Sequence, residues 1–298
     1  MQSEIPINVA LEIKIGNFSV NLLKHSRNIV GEEAISYLFT YERFIHAEIM
    51  THRHSRNYSS SRAIPYDKMQ EWITSDPALP LHMGKNRNGM QSGELVNNSE
   101  KFKDALIEHY KSTRKWCDTL IEEYNPHKEI INRYTEPFGW ITGIMTTGRR
   151  QLMNLFNLRI SPMAHPNFQR LGVAMARLYR ASTPQELQVG EWHLPFVNSV
   201  KGTTENVTWC VARSAWCSYN SPTKDATYER AKVRHDDCIK HLHTTPLEHA
   251  LEARGDSDKR GLVPGYNSYR SMIPDECASE FDFSILDTVY HDKWYVVL

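Results

Sequence analysis

The sequence predicts an α+β fold, and two observations carry that prediction. Near the start, Ile5, Ile7, Val9, Leu11, Ile13 and Ile15 occupy every second position, and after Gly16-Asn17 the alternation resumes at Phe18, Val20 and Leu22. That is the period of strands with one buried face, joined as a hairpin. Further along, apolar residues recur at helical spacing over 100–124, 168–178 and 225–242. The chain of 298 residues is long enough for one large domain or two, and it is read as a single domain over 1–298.

After Gly31, AISYLFTYERFIHAEIM begins β-rich and ends helix-like, a strand running into a short helix. It delivers the densest polar stretch of the chain, THRHSRNYSSSRAIP, from Thr51 to Pro65. Arginine forks match phosphate and carboxylate oxygens bidentately, and Ser hydroxyls and an Asn amide add neutral donors, so the stretch suits a phosphorylated small molecule. The same composition also suits a basic turn after a helix. Pro65 stops any continuing helix.

From 78 to 98 the sequence has three glycines and little periodicity, which reads as a lid or substrate-facing loop, or as a connector. A long helix is expected over 100–124, with Phe102, Ala105, Leu106, His109, Tyr110, Leu120, Ile121 and Tyr124 on or near one stripe. The segment from Ile131 to Arg159 holds a second polar cluster, Arg149, Arg150, Asn154, Asn157 and Arg159, interleaved with Leu152, Met153, Leu155, Phe156 and Leu158. It fits a short amphipathic helix, with either a working polar face or plain solvated arginines. Phe168, Leu171, Met175 and Leu178 read as helical core.

The stretch 184–202 reads as a linker-like crossing, and NVTWCVARSAWCSYN as strand-like at its start. A helix over 225–242 leads into HLHTTPLEHALEARGD, and the tail FDFSILDTVYHDKWYVVL reads as a terminal strand or docking sequence. His235, Cys238, His241 and His243 lack the firm spacing of a zinc site, so no metal is expected.

Composition narrows the function. Lys+Arg and Asp+Glu are both 35, so the chain has no broad positive field for nucleic acid or a membrane surface. Five scattered cysteines without a CxxC pair argue for reduced thiols. With no signal-like leader and no apolar run of membrane-spanning length, a cytoplasmic protein is expected. GxGxxG before a helix, GxxxxGK[ST], HExxH and GxSxG are all missing, which disfavours dinucleotide-Rossmann, P-loop, zincin and α/β-hydrolase chemistry.

Three separated stretches together resemble the flavin-dependent thymidylate synthases, the ThyX family. The family's signature is RHR, seven residues, then Ser, with a later SxR and an Asn between; here His52, Arg53, Ser55, Asn57, Ser60 and Arg62 keep that order. RRQLMNLFNLR is similar to the family's RSLMNFxNLR helix at Arg150, Asn154, Asn157 and Arg159. HTTPLEH is similar to HETPFEH at His243, Thr245, Pro246, Glu248 and His249. Weaker matches fall at Arg133 and Pro137, and at Ser218. The departures are specific. Six residues separate Arg53 from Ser60, Thr51 replaces the first arginine, Gly148 and His165 stand for the family's Asn and Gln, and the TPxEH segment follows the other motifs instead of preceding them. Such an order suggests a circularly permuted or rearranged member.

The resemblance implies an α+β domain with a mixed sheet and long helices, assembled as a homotetramer with shared sites. It implies reductive C5 methylation of dUMP to dTMP, with methylenetetrahydrofolate as carbon donor, FAD as flavin and NADPH as hydride source. Ser60, Arg62, Arg133 and Arg159 would hold dUMP, with Arg159 and Ser60 at the chemistry. His52, Arg53, Asn57, Arg150, Asn154, Ser218, Thr245 and Glu248 would face FAD, and His243 would contact folate. No cysteine would be catalytic. Two alternatives remain, a dUMP- or dCMP-directed 5-hydroxymethylase or methylase on the same scaffold, and a non-catalytic nucleotide-binding protein.

Overall fold

A computed structural model describes residues 11–223, 225–258 and 261–274. The expected strand before Leu11 and the expected terminal strand or docking sequence lie outside the described residues. Strands β1 (Leu11–Ile15), β2 (Phe18–Asn28) and β3 (Glu33–Glu42) form an antiparallel meander, with the predicted turn at Gly16-Asn17. Gly16 adopts φ +58°, a conformation that favours glycine. A 3-10 turn then leads to helix α1 (His46–Ile49) and to β4 (Ser55–Tyr58), inside the polar stretch.

Helices α2 (Tyr66–Ser75), α3 (Ser99–Tyr124) and α4 (Lys128–Ile131) follow. Pro65 precedes the first of them: its fixed φ suits a helix start as well as a stop, so α2 was not expected. The 78–98 segment is irregular, with one isolated bridge between Gly84 and Leu95. Helix α3 has the expected length, but its stripe is not a core face. Tyr110 and Cys117 are buried, while Phe102 and Tyr124 are 46% and 71% exposed.

Strand β5 (Trp140–Gly148) lies between β3 and β4 in the main sheet and runs straight into α5 (Arg149–Arg159). Its residues are buried on both faces, so the polar-apolar alternation that marks a half-buried strand is absent. The sheet order is β1-β2-β3-β5-β4, and β6 (Gln185–Leu187), after α6 (Pro166–Ala181), pairs parallel with β2. The sheet is therefore mixed, as expected. On one face Phe18, Val20, Leu22, Ile35, Tyr37, Phe39 and Met145 meet Leu152 and Leu155 of α5 and Phe168, Leu171, Met175 and Leu178 of α6. Each such side chain contributes about 1.5–3 kcal/mol on burial.

The second face is covered by β7 (Trp192–His193), α7 (Thr204–Trp216), α8 (Tyr228–Lys240) and a three-stranded sheet of β7, β8 (Leu251–Ala253) and β9 (Tyr266–Ser268). Two expectations are corrected here. The 184–202 crossing contains β6 and β7, and the NVTWC segment is helical instead of strand-like. Thr203 caps α7 by accepting from the Asn206 N–H (3.3 Å), and Val207 to Ala215 are all buried, which hides the helical period. No described helix is long and apolar enough to cross a membrane.

Candidate active site

The polar stretch forms the outer edge of the main sheet. Ser55 pairs with Thr146, Asn57 with Ile144 and Tyr58 with Gly143, so β4 hangs on one strand only. Gly143 lies beneath Tyr58; a Cβ there would overlap its ring. His52 and His54 turn inward and are buried, while Arg53 between them is exposed. His52 Nε2 accepts from Arg159 Nε (2.8 Å), and burial first, then the Arg159 charge, push its pKa down to about 4. The rest of the Arg159 fork donates to Glu48 Oε2 (3.2 Å) and Thr51 Oγ1 (3.1 Å), and the guanidinium lies over the Phe168 ring at 4.8 Å. Arg159 thus ties α5 to the start of the polar stretch. Burial, with Arg56 next, pushes His54 down to about 3.

Against β4 packs the TPLEH segment, a 3-10 turn over Thr245–His249. The Asn57 amide oxygen accepts from the Thr245 hydroxyl (3.1 Å), and the amide nitrogen faces His249 Nε2 and the carbonyls of Thr245 and Arg56, each at 3.2 Å. His249 is fully buried, and burial holds its pKa down to about 3. Beyond it a row of buried polar groups crosses the sheet. His249 Nδ1 meets Thr146 Oγ1 (2.8 Å), Thr146 meets Ser36 Oγ (2.6 Å), Ser36 meets His193 Nε2 (2.8 Å), and His193 Nδ1 meets Ser26 Oγ (3.0 Å). Burial holds His193 well below the usual imidazole range.

A cavity of about 390 Å³ opens beside this joint. Arg53 and Glu248 line it, with Arg254, Ser268, Arg270 and Ser271. Arg270 Nη1 donates to Glu248 Oε1 (3.3 Å), and Arg254 Nη2 to Asp256 Oδ2 (2.6 Å). Sequence reasoning missed Arg254 and Arg270. The signal was present: Asn267, Ser268, Arg270 and Ser271 repeat the arginine-plus-hydroxyl composition of the polar stretch on a smaller scale.

The other expected residues lie elsewhere. The Ser60 N–H donates to the Ser218 carbonyl (3.0 Å), which joins those two. Arg62 stands 3.5 Å from Glu129 and Arg133 3.2 Å from Glu136, both arginines more than half exposed. The intervening Asn132 Nδ2 donates to the carbonyls of Ser61 (2.7 Å) and Ile64 (3.0 Å), so Arg62 and Arg133 flank one anchored turn. Arg150 and Asn154 are exposed on α5, and His243 is exposed before the TPLEH turn.

A mixed sheet carries arginines, hydroxyls and an Asn along its edge, closed by a second polar turn, and guanidinium forks with neutral donors beside them match the oxygens of an anion. The sequence matches the family described as thymidylate synthase complementing protein over residues 16–185, more than half of the chain, and the chain belongs to that family. His243, Thr245 and Glu248 lie beyond the matched residues. Among solved structures, the chain is similar to the UMP/dUMP methylase PolB from Streptomyces cacaoi, bound with 5-Br dUMP, at 14% identity and a TM-score of 0.40. That match covers 50% of this chain and 66% of the other, just short of two thirds of its length. No curated protein matches the sequence.

Proposed function

We propose that this protein is a flavin-dependent thymidylate synthase that methylates dUMP at C5, using methylenetetrahydrofolate, FAD and NADPH. The observation that supports the reading is the meeting of Asn57 with Thr245, and of Arg53 with Glu248 around one cavity, although the two motifs lie 188 residues apart. The donor set fits a dinucleotide flavin. Arg53, Arg254 and Arg270 suit its diphosphate, Ser268 and Ser271 its hydroxyls, and Leu262 and Tyr266 add apolar wall. When bound, FAD supplies the redox chemistry, which no side chain provides.

The protein's own groups bind and polarise. Ser60, Arg62, Arg133 and Arg159 hold the nucleotide, and a guanidinium at the uracil stabilises negative charge as it develops on the ring. In its own chain Arg159 contacts Glu48 and His52, while Ser60 and Arg62 contact Ser218 and Glu129. A homotetramer with sites shared between subunits accounts for that separation. His52, Arg150, Asn154, Ser218 and Glu248 complete the flavin side, and His243 meets the folate. The six-residue spacing from Arg53 to Ser60 favours carrying a second reading, hydroxymethylation or methylation of dUMP or dCMP on the same scaffold.

Anaerobic turnover of the purified protein with FAD, NADPH, methylenetetrahydrofolate and each nucleotide, read by product mass, tests both. A product heavier than dUMP by one CH2 unit, a methyl group in place of the C5 hydrogen, is expected. A hydroxymethyl product, or turnover of dCMP alone, selects the second reading. A colourless protein that binds nucleotide but neither takes up FAD nor turns over selects the non-catalytic binder.

A further inference from the structure

The buried row from Asn57 to Ser26 determines its own proton positions. The carbonyls of Arg56 and Thr245 stand 3.2 Å from one corner of the Asn57 amide, and two acceptors there require that corner to be the nitrogen. The same nitrogen faces His249 Nε2, so Nε2 accepts and the imidazole proton sits on Nδ1. Nδ1–H then donates to Thr146, Thr146 to Ser36, and Ser36 to His193 Nε2. His193 is left with its proton on Nδ1, which donates to Ser26. Among the described residues the Thr146 and Ser36 hydroxyls have no partners outside the row, so each passes its one proton onward, and a neutral imidazole has one donor and one acceptor; the first link therefore fixes the later ones. The opposite polarity is self-consistent along the row but sets the Asn57 oxygen against two carbonyls.

The row also has a particular place in the fold. Ser26, Ser36, Thr146 and Asn57 come from β2, β3, β5 and β4, and His193 and His249 reach in from the covering layer. Ser26, Ser36, Thr146, His193 and His249 are each 0% exposed. In such surroundings hydrogen bonds polarise one another, and a missing link leaves a buried group unsatisfied.

We infer that His249, Thr146, Ser36 and His193 are positioning residues for Asn57: a hydrogen-bond chain of one polarity sets both histidines as Nδ1–H tautomers and holds the Asn57 oxygen toward Thr245. The wall therefore presents the ligand with an acceptor at Asn57. Were the chain reversed, the amide would turn and present a donor instead. This deepens the reading that Asn57 and Thr245 contact FAD, and rests on it for the ligand.

The experiment uses the full chain labelled with 15N. Long-range proton–nitrogen spectra without ligand are expected to show the Nδ1–H tautomer at His249 and at His193; an Nε2–H tautomer at either overturns the inference. Thr146→Val removes the acceptor of His249 Nδ1–H, whereas Thr146→Ser keeps it. In the valine variant the buried His249 Nδ1–H is left without its acceptor, so its resonance should shift from the parental position and FAD affinity should fall about tenfold, the worth of one hydrogen bond. The serine variant should retain both parental values. Equal His249 Nδ1–H resonances and equal FAD affinities in the two variants also overturn the inference. Ser36→Ala, read at His193, supplies a second break in the row should the valine variant not fold. Failure of the parent protein to bind FAD defeats the flavin reading alone, because the tautomers are read without ligand.

Discussion

Arg159 is the residue on which two roles converge. Its fork bonds His52, Glu48 and Thr51, and the proposed function assigns it to the nucleotide. Arg159→Ala should weaken dUMP binding by about tenfold to a hundredfold, the range of one charge-assisted hydrogen bond, with FAD retained. Calorimetric titration showing unchanged dUMP affinity removes Arg159 from the nucleotide side. The same variant should let the His52 pKa rise from about 4, since the Arg159 charge is the second cause of its depression. The described cysteines Cys117, Cys210, Cys217 and Cys238 are buried and unpaired, and burial raises the pKa of each thiol. Protonated buried thiols are poor nucleophiles, in keeping with a role in packing.

Elements differ in how plainly their sequences announce them. Strand β1 and helix α6 were legible because each turns charged residues outward and apolar ones toward the core, which leaves a period of two or of 3.6 in the chain. Strand β5 and helix α7 were not, because both are buried nearly all round and a uniformly buried element carries no period. The α7 start was readable in principle from Thr203. Thr203→Ala should cost about 1 kcal/mol of stability by denaturant unfolding, the usual worth of an N-cap. A cost indistinguishable from zero removes the cap as the reason this helix begins where it does. The candidate site was legible where motifs are dense, at Arg53, Asn57 and Thr245, in that the fold brings these residues together. It was not legible at Ser36, Thr146 and His193, single small or polar residues inside apolar strands that acquire meaning only when the sheet brings them into line.

At the scale of the whole molecule, buried histidines make stability depend on acid. Burial is the leading cause at His52, His54, His193 and His249, and all four are lowered from the ordinary 6.5. The unfolded chain takes up these protons near pH 6.5, whereas the folded chain resists them, to about pH 4 at His52 and about pH 3 at His54 and His249. The unfolded state therefore binds more protons below pH 6.5. Stability is complete above that value and falls as pH drops, by at most about 1.4 kcal/mol per pH unit per group. Melting temperature should be flat from about pH 7 to 8 and decline steadily below about pH 6; a flat profile through pH 5 contradicts it. The joint between β4 and the TPLEH turn bears finally on heredity. The codons for Asn57 and Thr245 lie 188 positions apart, and a stop codon anywhere between β6 and that turn leaves the whole family-matched segment translated while deleting the partner that orients Asn57. Nonsense alleles between β6 and Thr245 should therefore behave as nulls, not as mild alleles.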